Sequence, residues 1–167
     1  MYNLINLFIH SIIVMDSNKG YSGASAKALG VIWINNKPQF SQQDIIEMII
    51  HEFVHNLCFI DEISYIHYSN YKLMLKKENL AEASPGTKKP LKDVIHRIVV
   101  LIELIMFRLK FFSNKNQDFL YHAPTSSLIL QAKQSINSIY CTIDYKSILS
   151  ERSHNILKRC QEVIKQI

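Results

Sequence analysis

Two histidines four residues apart form the clearest chemical feature of this sequence, His51-Glu52-Phe53-Val54-His55. On an α-helix, residues four apart lie one turn apart on the same face, so both imidazoles can reach one metal ion. Glu52 is rotated about 100° from His51, which suits a residue that contacts a metal-bound water or a substrate. Imidazole and carboxylate groups are costly to bury without partners among the apolar neighbours. The pattern therefore predicts a metal site with Glu52 as its catalytic residue.

A third metal ligand is expected, because two histidines hold a metal ion poorly. Asp61 lies six residues after His55, but it would require a sharp turn, and Cys58 stands where a turn-forming glycine would be needed. We therefore expect the helix to continue past Cys58. Cys58 and Glu62 would then stay on the face of His51, as neighbours of the site.

Three residues further along the chain also offer ligand atoms. Glu78 and Glu82 would suit a zinc peptidase whose downstream helix supplies a carboxylate, although a solvated charged surface explains them equally well. His96 lies near the start of the next helix, between Val94-Ile95 and Ile98. A histidine packed in the core is the competing interpretation, but an antiparallel helix hairpin would bring His96 to the pair.

The elements that position these residues are mainly helical, with two strands rich in β-branched residues near the N-terminus. A capping-box-like Ser41 and Asp44 begin the motif helix, and Pro90 suits the first turn of the next one. We predict strands at 9–16 and 29–35, helices at 42–66, 90–112, 126–141 and 150–165, and loops at 67–89 and 113–118. This is an α+β fold: a small N-terminal sheet, a zincin-like HExxH helix and three further helices.

Length and composition fit one metal-binding domain over residues 1–167, with 48% hydrophobic and 20% charged residues. The three cysteines are an odd, widely spaced set, which argues against a disulfide framework and predicts a cytoplasmic protein. The net charge of +5 is scattered, so we expect no nucleic-acid partner. The apolar N-terminal run lacks a basic start, and charges interrupt the run around residues 94–110. We therefore expect neither a signal peptide nor a membrane span.

Part of the chain, about residues 22 to 110, resembles the HExxH-type, iron- and 2-oxoglutarate-dependent peptide β-hydroxylases, which are found beside ribosomally made and modified peptides. One shared feature is a short strand that ends in Asn35 before the motif helix. Another is the HExxH sequence followed by Asn56 and apolar residues. The third is a segment from Ser84-Pro85 through Pro90-Leu91 to Val94-Ile95-His96. The Lys88-Lys89 pair replaces a more usual arginine, and members of this family are often longer.

The resemblance implies that His51, His55 and His96 are the ligands of Fe(II), with 2-oxoglutarate as co-substrate and O2 as oxidant. The reaction would hydroxylate a side-chain β-carbon of a peptide, namely a ribosomally made precursor, and Glu52 would compensate the charge of a site with three neutral ligands. The peptide could add to the sheet as an extra strand along 30–35, if that strand is an edge.

Supporting residues are also expected around such a site. The distal carboxylate of 2-oxoglutarate needs a basic anchor, for which Arg97 and Arg108 are the candidates. Glu103, seven residues after His96, would either hydrogen-bond a ligand imidazole from outside or form a salt bridge with an arginine. Glu62 is a second candidate for holding a ligand imidazole.

Two other functions stay open at this point. A small zinc metallopeptidase would bind Zn²⁺ through His51, His55 and a downstream carboxylate, and Glu52 would activate the zinc-bound water. A non-catalytic helical module for binding or scaffolding is the other.

Overall fold

Helices dominate the chain, and its longest strands lie near the N-terminus. The computed structural model describes residues 2–16, 21–112 and 119–167. The α-helices are α1 (Tyr2–Phe8), α2 (Gln42–Ser64), α3 (Tyr71–Met74), α4 (Leu91–Phe111), α5 (Thr125–Tyr140), α6 (Tyr145–Ile148) and α7 (Glu151–Gln166). The strands are β1 (Ser11–Met15), β2 (Gly23–Ala24), β3 (Val31–Asn35), β4 (Ala81–Ser84) and β5 (Thr87–Lys89). The predicted mainly helical fold with a small N-terminal sheet is confirmed, whereas α1, α3 and α6 were not predicted.

The N-terminal sheet has three strands in the order β1-β3-β2, with β3 parallel to β1 and antiparallel to β2. The expectation that β3 is an edge strand is therefore wrong, because both of its edges are paired. Gly30, just before β3, has a φ of +78°, in the left-handed region that favours glycine. Its N–H donates to Oδ1 of Asn56 at 2.9 Å. Since Asn56 follows His55, this bond ties the sheet to the motif helix.

Helix α2 begins at the predicted capping box. The Oγ of Ser41 accepts a hydrogen bond from the backbone N–H of Asp44, and the Asp44 carboxylate accepts one from the backbone N–H of Ser41. The helix runs without interruption past Cys58 to Ser64, as expected. Asp61 therefore stays helical and is paired with His67 and Arg152, so it is not a ligand of the candidate site.

The segment between α2 and α4 is more ordered than the predicted loop at 67–89. It contains α3, a 3-10 turn at Lys77–Asn79, and the hairpin of β4 and β5. Ala81 and Ala83 of β4 are buried against α4 and α5, and their short side chains let the backbone approach closely. Ser138 and Ser135 of α5 hydrogen-bond the backbone of β4, which explains why this polar sequence forms a strand.

Helix α4 is the centre of the core and contacts α2, α5 and α7. It is antiparallel to α2, because Arg108 near its end pairs with Glu47 while His96 near its start pairs with Glu62. Val94, Ile98 and Leu104 of α4 are fully buried, and burying each such side chain contributes about 1.5–3 kcal/mol. None of the helices in the described ranges is long and apolar enough to cross a membrane. The predicted loop at 113–118 lies outside those ranges.

Candidate metal centre

The candidate metal centre lies on the third and fourth turns of α2. His51, Glu52 and His55 each offer a ligand atom, and these atoms all lie within 4.8 Å of one another. The ring centroids of the two histidines are 5.0 Å apart. Two imidazoles on one ion, with metal–nitrogen bonds of about 2.1 Å, have centroids about 4.5–5.5 Å apart. The backbone of α2 thus already presents the pair at the spacing that a shared metal ion needs.

Burial sets the protonation states of these residues. It lowers the pKa of His51 to about 2, assisted by repulsion from His55, His122 and Arg97. It also lowers the pKa of His55 to about 4, with a contribution from His96. Both imidazoles are therefore neutral at pH 7, which leaves the lone pairs that a metal ion requires.

Glu52 has the opposite shift, because burial raises the pKa of its carboxyl group to about 7. Its side chain is 3% exposed and forms no hydrogen bond or ion pair with the described residues. A buried carboxyl group without a partner, beside two neutral imidazoles, suits the approach of a cation. The donor set thus fits a divalent transition metal.

His96 stands beside this group on α4. Its ring centroid lies 5.8 Å from that of His55, slightly beyond the spacing of two rings on one ion. Its Nε2 lies 2.8 Å from Oε1 of Glu62, and the other oxygen of Glu62 pairs with Lys92 at 2.8 Å. His96 is not part of the converging group, so its role as a ligand stays a prediction.

Glu62 holds the imidazole of His96, which is the contact expected of a residue that supports a ligand. Burial raises the pKa of Glu62, but hydrogen bonds from His96 and Lys92 outweigh it and lower the pKa to about 2. The carboxylate is therefore charged at neutral pH and accepts the Nε2–H of His96. In a neutral His96, the nitrogen with the lone pair would then be Nδ1.

Glu103, the other carboxylate predicted to support a ligand, does not belong to the converging group. It lines a cavity of about 580 Å3 between α2, α4 and α7, together with Cys58 and Cys160. Burial raises its pKa, and it forms neither the expected imidazole hydrogen bond nor a salt bridge with the described residues. Cys58 faces the same cavity, and burial raises its pKa to about 12, so its thiol is protonated and a poor ligand.

The two candidate arginine anchors differ in what already binds them. Arg108 donates hydrogen bonds to the Glu47 carboxylate and to the carbonyl oxygen of Ala123. Its guanidinium is therefore not available to bind a co-substrate, contrary to the prediction. Arg97 donates from Nη2 to Gln131 at 2.7 Å, and its buried Nε–H has no acceptor among the residues the structure describes. Its charge contributes to the lowered pKa of His51, which places it near the site.

The downstream carboxylates proposed for a peptidase have other partners. Glu82 accepts a hydrogen bond from the backbone N–H of Gly86 within the hairpin turn. Glu78 lies 4.0 Å from Lys76, and both side chains are about half exposed. Neither belongs to the converging group at α2.

Tyr121 and His122 are the site residues that the sequence did not predict. Nε2 of His122 lies 3.0 Å from Nδ1 of His51, and the two rings are stacked. The ring of Tyr121 packs edge-on against His51, and its hydroxyl group contacts Ser22. The signal in the sequence was a histidine that follows a tyrosine, two residues before Pro124 and the start of α5.

The sequence matches no protein-family model and no curated protein. The function is therefore argued from the chemistry of these side chains and from their arrangement.

Proposed function

We propose that this protein is an Fe(II)- and 2-oxoglutarate-dependent hydroxylase that acts on a side-chain β-carbon of a peptide. The observation that carries the proposal is the collection of imidazoles: His51 and His55 converge as neutral ligands, and His96 lies next to His55. Among the described residues, Glu52 is the one carboxylate within the converging group. A site rich in imidazole with open positions suits iron.

His51, His55 and His96 would hold Fe(II), which supplies the activation of O2 while 2-oxoglutarate provides two electrons. Arg97 would bind the distal carboxylate of 2-oxoglutarate through its uncommitted Nε–H. Glu52, with a pKa of about 7, would offset the charge of the ion or hold a proton near the substrate. His96 would have to move closer to join the other two rings, since its ring centroid lies 5.8 Å from that of His55.

A precursor peptide would approach beside β2, which is an edge of the sheet. Ser22 precedes β2 and contacts Tyr121, which lies against His51. Strand addition at this edge would place peptide side chains alternately toward and away from the site. This replaces the strand at 30–35 as the expected docking edge. We also propose that α2 is a zincin-like HExxH helix.

A zinc metallopeptidase is the second candidate, favoured by one observation, the pKa of about 7 for Glu52. A carboxylate with this pKa can take a proton from a zinc-bound water and pass it to the leaving amine. The carboxylate ligands predicted for this function are engaged elsewhere, so His96 would have to complete the zinc site as well.

Turnover distinguishes the two candidates. Full-length protein loaded anaerobically with Fe(II) is mixed with O2, 2-oxoglutarate and synthetic peptides of varied sequence, and succinate and peptide masses are measured. The proposal expects succinate formation and a peptide gain of one oxygen atom, both lost in His51→Ala. Its matched control is Glu82→Ala, which should retain both. Peptide cleavage by the zinc-loaded protein, abolished in Glu52→Gln, without succinate formation would contradict the proposal and favour the peptidase.

A further inference from the structure

The segment at 119–124 is attached to the start of α2 and to the end of α4. Oδ1 of Asp44 accepts hydrogen bonds from the backbone N–H groups of Leu120 and Tyr121, at 2.8 and 3.0 Å. Arg108 donates to the carbonyl oxygen of Ala123 at 2.8 Å and lies 3.9 Å from the ring centroid of Phe119. The residue between these attachment points is His122. Its position is therefore determined by backbone contacts on both sides.

The side chain of His122 connects two buried groups. Its Nε2 lies 3.0 Å from Nδ1 of His51, and its Nδ1 lies 3.0 Å from Oε2 of Glu47. The same Glu47 carboxylate pairs with Arg108 through Nε and Nη2. Glu47 is fully buried and Arg108 is 3% exposed, so water cannot replace these partners.

The series of hydrogen bonds from Arg108 through Glu47 and His122 to His51 determines where the protons lie. Glu47, paired with a guanidinium, is a carboxylate and can only accept, so the proton of a neutral His122 lies on Nδ1. Nε2 of His122 is then an acceptor, and the hydrogen bond requires a proton on Nδ1 of His51. The lone pair of His51 is thereby on Nε2, the nitrogen at the outer end of the ring. This is the tautomer that can bind a metal ion through Nε2.

We propose that His122 is a positioning residue for the metal centre: with Glu47 behind it, it fixes the tautomer and ring orientation of His51. The inference rests on the metal site of the proposed function, but not on iron or on hydroxylation. It assigns a role to a residue 71 positions away in sequence from His51. Such hydrogen-bond partners typically change metal affinity by about 10- to 100-fold.

Affinity for Co(II) alone, measured on the full chain by competition with a chromophoric chelator, tests this role. His122→Phe keeps an aromatic ring at this position but loses both hydrogen bonds, so we expect the affinity for Co(II) to fall by about 10- to 100-fold. In His122→Gln an amide oxygen can accept from Nδ1 of His51, so we expect substantial recovery. The matched control is His67→Phe, which removes another buried imidazole paired with a carboxylate, at 2.7 Å from Asp61. It should bind Co(II) like the wild type.

The outcomes separate the inference from the function on which it rests. If the wild type binds no Co(II), the metal site itself fails. If the wild type binds and His122→Phe binds equally well, the positioning role is overturned while the metal site stands. Equal losses in His122→Phe and His67→Phe would also overturn it, because general packing would then explain the effect. Should His122→Phe not fold, nitrogen-15 NMR of the metal-free wild type decides: a proton on Nδ1 of His51 supports the role, and a proton on Nε2 overturns it.

Discussion

Replacing Glu52 by glutamine should stabilise the metal-free protein at alkaline pH. The Glu52 side chain is 3% exposed and has no hydrogen-bond or ion-pair partner in the described ranges, so its ionised form is poorly solvated. Glutamine has nearly the shape of the protonated acid but cannot ionise. The variant therefore removes the cost of a buried charge and leaves the packing of α2 almost unchanged.

The magnitude follows from the pKa of Glu52, which is 4.5 in an ordinary environment and about 7 in the folded protein. Between these values the folded state holds a proton that the unfolded state has released, so stability falls as pH rises from 4.5 to 7. One pKa unit corresponds to about 1.4 kcal/mol, which gives a total of about 3 kcal/mol. His51 and His55 act in the opposite direction, losing stability as pH falls below 6.5, but both proteins contain them.

Urea unfolding of chelator-treated protein at several pH values measures this difference. Wild type and Glu52→Gln should have similar free energies of unfolding near pH 4.5, and the variant should be more stable by about 3 kcal/mol at pH 8. The corresponding shift in Tm is about 6–12 °C for a chain of this size. A difference that does not change with pH would refute the assignment of Glu52 as a buried, unpartnered acid.

Three further predictions concern the residues around the centre. Arg108→Met should lower the free energy of unfolding by about 3–5 kcal/mol, because the buried Glu47 carboxylate loses its guanidinium partner and keeps only the contact with His122 among the described residues; a change under 1 kcal/mol in urea unfolding would contradict this. Glu62→Leu should weaken Co(II) binding by about 10- to 100-fold if His96 is a ligand, because leucine cannot accept the hydrogen bond from His96, and unchanged binding in the chelator competition would remove His96 from the ligand set. If the proposed hydroxylase function holds, Arg97→Met should raise the KM for 2-oxoglutarate by about tenfold or more, without weakening Co(II) binding; an unchanged KM would exclude Arg97 as the anchor.

Much of the helical framework could be predicted from local signals. The capping box at Ser41 and Asp44, the proline before α4 and the serine cap of α7 each act within a few residues, so local sequence reports them. The β4–β5 hairpin could not be found in this way. Its strands are short and polar, and they form because α5 supplies hydrogen bonds and a surface that fits Ala81 and Ala83.

The same distinction between local signals and long-range contacts applies to the candidate site. The helical spacing of His51 and His55 predicts their convergence, which depends on one helix alone. The contact between His51 and His122 depends instead on how a distant segment packs against α2 through Asp44 and against α4 through Arg108. A usable signal was nevertheless present. Arg108 lies in a strongly apolar helix, and a buried guanidinium requires a carboxylate partner, so its pairing with a buried acid took precedence over an anchoring role.

The features that distinguish a metal centre from ordinary packed histidines lie in the combination of contacts. An imidazole paired with a carboxylate is not sufficient, since His67 and Asp61 form such a pair away from the centre. Two imidazoles are instead held by acidic groups on α2: His51 of the candidate centre through His122 and Glu47, and the neighbouring His96 through Glu62. Each support leaves one ring nitrogen with a free lone pair, on the side opposite its hydrogen bond. Lone pairs presented in this way on neighbouring helices are available to a cation, as the proposed metal site requires.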